Sequence, residues 1–136
     1  FEATSLVEHR AEVRGAFFSA DMHHMFSVGK DGYIVTLRYD LDTPTAKSTP
    51  DRPLYCHSGT WSIQSKANCN APNYQKVTRC DFEASSRILV VAFTAGIFML
   101  YEMPEQQALQ TLSLGNEMLD TVAIGAKGDW VAVGCS

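Results

Sequence analysis

A membrane-spanning run, a basic leader, a cluster of Lys and Arg, and a glycine loop able to cradle phosphate are all missing from this sequence of 136 residues. Each absence excludes a class. No apolar stretch approaches the roughly twenty residues a bilayer crossing needs, so no membrane partner is expected. Lys and Arg number 11 against 15 Asp and Glu, a net charge of -4 that offers no field for a phosphate backbone. No Asn-x-Ser/Thr glycosylation site occurs, and the four cysteines, Cys56, Cys69, Cys80 and Cys135, are too sparse for a secreted disulfide scaffold. A reducing compartment, cytosol or nucleus, is expected. Paired catalytic carboxylates and a metal-binding helix motif are also missing, so neither an enzyme nor a cofactor is expected.

What is present is the composition of a core-forming chain, 46% hydrophobic and 19% charged. Between Val28 and Leu37, two runs rich in β-branched and aromatic residues flank Lys30-Asp31-Gly32. An Asp-Gly pair in that setting predicts a β-hairpin, because Gly accepts the positive φ of a tight turn. The chain opens without Met and stops inside the apolar run Val131 to Cys135, so it is expected to be a fragment.

A degenerate repeat organises the rest. Val13 to Phe18, Val77 to Phe82 and Leu119 to Ile124 each begin and end on core-type residues, at offsets of 64 and then 42 residues. The second offset falls within the roughly 40 to 45 residues of one β-propeller blade. The predicted fold is therefore all-β, a partial propeller of about three four-stranded blades. Residues 4–7 are expected to form the outer strand of a preceding blade. The first blade is placed at residues 9–63, the second at 74–114, and a truncated third at 115–136. Its predicted strands run from Glu12 to Phe18, Met25 to Gly29, Tyr33 to Tyr39 and Trp61 to Ile63, then from Lys76 to Phe82, Ile88 to Phe93 and Ile97 to Met103. Pro44, Pro50 and Pro53 lie among Thr, Ser and charged residues, which predicts a solvated insertion over residues 40–60. Ser65 to Asn73 reads as a second loop. Thr43 and Thr49, each followed by Pro, are candidate sites for proline-directed phosphorylation.

His9, Ser27 and Asp31 are the residue types of a hydrolytic triad. The spacing favours another role. A His ahead of an inner strand, a Ser on the second strand and an Asp in the next turn can form a buried hydrogen-bonded staple, worth roughly 1 kcal/mol per bond. Phe26-Ser27-Val28 has none of the strained Gly-x-Ser-x-Gly geometry a nucleophile wants. The equivalent positions in the other copies are Asn73, Val91 and Ala95, then Gly115 and Val133, so those blades are expected to rely on packing.

The offsets of His9, Ser27 and Asp31 resemble the structural tetrad of WD-repeat proteins, with Leu37 where that family has Trp and Arg38 at the second signature letter. Phe93 to Pro104, Leu112 to Asn116 and Gly128 to Ser136 resemble the N-terminal propeller of the periodic tryptophan protein 2 family, and Ala11 to Ser19 fits the same pattern. The resemblance covers most of residues 5–39 and 76–136. It implies a nucleolar, non-catalytic scaffold of the small-subunit processome, needed for pre-18S rRNA processing. Its implied partners are other propeller proteins, the remainder of its own propeller, and pre-rRNA or small nucleolar RNA reached indirectly or through other parts of the chain. The alternative class is a WD-repeat adaptor that presents a peptide-binding surface in signalling or ubiquitin transfer.

Other clusters read as structural. Cys56-His57 with Cys69 and Cys80 lacks the two-to-four-residue ligand pairing of structural zinc, so no metal is expected. His23-His24 reads as a solvated pair before a strand. Phe18, Leu37, Phe82, Tyr101 and Trp130 are expected to pack blade against blade; Trp61 and Trp130 lack the basic neighbours of base-stacking platforms.

The charge balance generates one prediction. This segment should bind single-stranded RNA only weakly at physiological salt, and a fluorescence anisotropy titration that reached submicromolar affinity would overturn it.

Overall fold

The computed structural model describes residues 8–41, 59–72, 75–115 and 117–136. Among these residues, ten strands make three antiparallel sheets. The first contains β1 (Val13–Phe18), β2 (His24–Gly29), β3 (Tyr33–Leu41) and β4 (Gly59–Asn68) in sequence order. The second repeats it with β5 (Val77–Glu83), β6 (Ile88–Phe93), β7 (Ile97–Glu102) and β8 (Gln107–Ser113). The third is a hairpin of β9 (Leu119–Ile124) and β10 (Val131–Cys135). Among the described residues the sheets stand side by side like blades of an open propeller, without closing a ring.

Local chemistry sets the hairpins. Gly32 between β2 and β3 and Gly96 between β6 and β7 have φ of 87° and 72°, values that cost an L side chain energy and glycine none. The copies also share backbone bonds: Lys30 N–H donates to Glu12 C=O, Thr94 N–H to Lys76 C=O and Ser136 N–H to Met118 C=O, at 2.8, 3.1 and 3.2 Å. A bulge recurs as well. The second residue of every inner strand, Arg14, Thr78 and Asp120, is left unpaired in its ladder.

Packing then joins the sheets. Phe26, Val28 and Ile34 of the first sheet bury against Leu89, Val91, Phe93, Met99 and Tyr101 of the second. On the other face of the second sheet, Val90, Ala92 and Phe98 bury against Leu119 and Val122. Val77 N–H donates to Lys30 C=O at 2.9 Å, a backbone tie between the first two sheets.

Three predicted boundaries move. The strand expected at residues 4–7 and most of the expected insertion lie outside the described residues. At both ends of that insertion the ladder continues: Tyr39, Asp40 and Leu41 pair with Trp61, Thr60 and Gly59, and the Tyr39 and Trp61 rings meet at 5.1 Å. The insertion is therefore shorter than residues 40–60. The first blade does not end at 63 either, because β4 runs to Asn68 opposite Tyr33. Gln64, Ser65 and Lys66 are polar, which suggested a loop. An outermost strand faces water, however, so polarity there does not argue against a ladder.

The fold generates a prediction about the isolated segment. Val13, Phe18, Ile63, Met118 and Trp130 are exposed, and among the described residues β10 pairs with β9 alone. Exposed apolar faces and open strand edges favour association. Expressed by itself, the segment should self-associate or unfold in static light scattering; a cooperatively melting monomer would contradict this architecture.

Candidate functional site

Ser27 occupies the middle of β2 and is buried, while His9 lies in the irregular segment ahead of β1. The two meet: His9 Nε2 and Ser27 Oγ are 2.7 Å apart. Asp31 sits in the following turn, exposed, where its Oδ1 accepts a 3.3 Å bond from Tyr33 N–H. No hydrogen bond joins Asp31 to His9 among the described residues, and His9 Nδ1 is buried without a partner. Both Nδ1 and the Asp31 carboxylate crowd Gly29, each 2.6 Å from where a Cβ would stand. A side chain there would displace one or the other. The three-membered chain read from the spacing is thus a bonded pair, with Asp31 acting through its field. Burial lowers the His9 pKa, and Asp31 opposes that shift.

As chemistry, the pair has little to work with. Ser27 is only 9% exposed, is flanked by buried Phe26 and Val28, and its Oγ lies within a ladder rather than on a strained elbow.

The second sheet corrects one expectation. Its turn is not held by packing alone, because Gln75 Oε1 accepts a 3.1 Å bond from Ala95 N–H. A glutamine just ahead of β5 stands in place of the histidine staple; no spacing rule marked it. Tyr101, where the family signature has its Trp, sends its hydroxyl to Cys69 C=O at 3.2 Å, tying the second sheet to the end of β4. Asp81 was also missed. Its Oδ2 accepts Ile124 N–H from the third sheet at 2.9 Å, and its Oδ1 accepts Phe82 N–H at 2.9 Å. A carboxylate between the core-type residues Cys80 and Phe82 was the available signal.

The other predicted residues separate. Phe82 meets the Phe17 and Phe26 rings at 6.0 and 5.2 Å, inside the first joint. Leu37 is buried on the opposite face of the first sheet from Phe26. Phe18 packs within its own sheet, on Trp61 at 5.9 Å. Trp130 is 80% exposed and stacks on no aromatic ring among the described residues. It precedes β10, whose Val131 and Val133 face the second sheet, so alternation turns Trp130 outward. It therefore stands on the side of the hairpin away from the second sheet.

His24 is no free solvated side chain: its ring stacks parallel to Phe26 at 6.3 Å and its Nε2 lies 3.2 Å from Gln64 Oε1. Thr43, Thr49, Cys56, His57 and Asn73 lie outside the described residues. Burial pushes the Cys69 and Cys80 thiols up to about 11 and about 12, which keeps both protonated and poor as metal ligands near neutral pH.

No family model matches the chain. Its sequence is similar over 98% of its length to periodic tryptophan protein 2 of Saccharomyces cerevisiae, at 33% identity. The homologues of Neurospora crassa and Schizosaccharomyces pombe are 35% and 29% identical over all of it. The chain spans only 15 to 16% of the length of these relatives. Among solved structures, the WD40 repeats of RRP9 superpose on 93% of the chain with a TM-score of 0.65, covering 33% of that chain at 12% identity.

The geometry sets an order of effects. Ser27→Ala should cost about 1 to 2 kcal/mol by leaving the half-buried His9 Nε2 unpaired, whereas Asp31→Ala should cost less than about 1 kcal/mol. Because His9 titrates lower in the folded than in the unfolded chain, unfolding takes up a proton near pH 6.5. Its contribution is intact above that value and declines as pH falls through it. Thermal melts of a complete propeller should show this acid loss, reduced in His9→Gln; an unchanged profile would remove His9 from the account.

Proposed function

We propose that this chain, a piece of WD-repeat propeller resembling periodic tryptophan protein 2, serves ribosome biogenesis as a non-catalytic scaffold. The observation that carries this reading is likeness along essentially the whole chain to relatives sharing that one name, at 29 to 35% identity. The finer reading places it in the small-subunit processome of the nucleolus, where it supports pre-18S rRNA processing. Its partners there are other propeller proteins. Pre-rRNA or small nucleolar RNA is reached indirectly or through other parts of the protein.

The site chemistry supports a scaffold. The only Ser-His pair of the sequence-predicted constellation is built as a staple, and the polar groups at the joints, Gln75, Asp81 and the Tyr101 hydroxyl, are spent on backbone partners. Rigid blades with bonded joints are what a platform for assembly needs.

The full-length protein should sediment with large pre-ribosomal particles in gradients of growing-cell extracts, and its depletion should reduce 18S rRNA. Sedimentation confined to light fractions would refute the reading. Ser27→Ala in the full-length protein should leave particle association intact once folding is restored by lower temperature.

A further inference from the structure

One end of the seam between the first two sheets carries a groove. Its inner half, about 540 Å³, is lined by His9, Arg10, Glu12, Lys30, Asp31 and Lys76. Its outer half, about 520 Å³, is lined by Asp31, Tyr33, Asn68, Asn70, Gln75 and Phe93. Asp31 lines both halves, so the two hollows adjoin on either side of it, one beside the segment ahead of β1 and the other at the end of β4. That shape suits an extended chain rather than a compact ligand.

Charge divides the trough. In a chain of net charge -4, its inner half gathers three cations. Lys30 lies 3.7 Å from Glu12, which is also held by Arg14 at 3.3 Å. Arg10 and Lys76 are exposed and have no ion-pair partner among the described residues. Lys66, at the far side of Tyr33, is engaged with Glu8 C=O at 2.8 Å. The buried, unpartnered Nδ1 of His9 belongs to a residue lining the same half. The outer half is different in kind: Asn68, Asn70 and Gln75 are amides, and Tyr33 offers a partly exposed ring. Amides suit backbone N–H and C=O groups of either polarity.

We propose that this trough binds an extended segment of a partner protein, holding the carboxylate of an acidic residue between Arg10, Lys30 and Lys76 while the amides of the outer half meet the segment's backbone. A protein rather than a nucleic-acid partner follows from the setting. Asp31 and Glu12 interrupt the cations, so one carboxylate is matched but a run of phosphates is not. The inference rests on the scaffold reading in that it assigns a partner-binding groove, but it is tested separately.

Full-length protein immobilised on beads should select, from a random dodecapeptide phage library, peptides enriched in Asp or Glu at one position. Lys30→Glu/Lys76→Glu should weaken the selected acidic peptides about tenfold or more and should itself select Lys or Arg there. Arg10→Glu, in an exposed irregular segment, provides the same readout if the double variant does not fold. Selection of no peptide, no acidic preference, or identical peptides with reversed charges would overturn the proposal. So would oligouridylate binding that depends on the same three cations, which would make the trough a nucleic-acid site. Gradient sedimentation of the same variants reads the scaffold role independently: particles retained with selection absent would fail the groove alone.

Discussion

Everything in this structure depends on the burial of both faces of the second sheet by its neighbours. Strand β6 shows the constraint in six residues. Leu89, Val91 and Phe93 enter the core shared with the first sheet, and Val90 and Ala92 enter the core shared with the third. Neither half has anywhere else to go. Burying an aliphatic side chain of this size is worth about 1.5 to 3 kcal/mol, so a single central strand draws on both joints for much of its stability. A blade alone would expose one such row on each side, and three blades in an open stack still leave two outer faces.

Against that background the polar joints are small in energy and large in consequence. Asp81 and Gln75 each satisfy a backbone N–H where ladders end or sheets meet. An unmet buried donor costs about as much as a modest apolar contact gains. These side chains therefore fix which register of the apolar faces is acceptable. One ties the turn of the second sheet and the other ties the second sheet to the third, with different residues at each place.

Much of that plan was legible beforehand. The Asp31-Gly32 turn, the continuous apolar runs of β6 and β7 and the offsets between inner strands have local causes: a positive φ, two-sided burial and a fixed blade length. What stayed hidden depends on partners distant in sequence. The length of β4 could not be read from Gln64-Ser65-Lys66, since an outer strand is decided by the ladder offered by β3 rather than by its own hydropathy. Residue types and spacing brought His9 to Ser27 correctly in space, but whether Asp31 would bond or merely lie nearby depends on fractions of an ångström around Gly29.

The recurrent bulge has a meaning beyond strand twist. Arg14, Thr78 and Asp120 share no chemistry, yet each stands as the one extra residue at the same point of its inner strand. What the copies hold in common there is a count, not a letter. Substitution at these positions leaves the count untouched, whereas losing or gaining one residue would exchange inside for outside along the chain that follows, turning apolar rows to water and polar rows to the core. The blades can therefore drift far apart in composition while remaining bound to the same arithmetic.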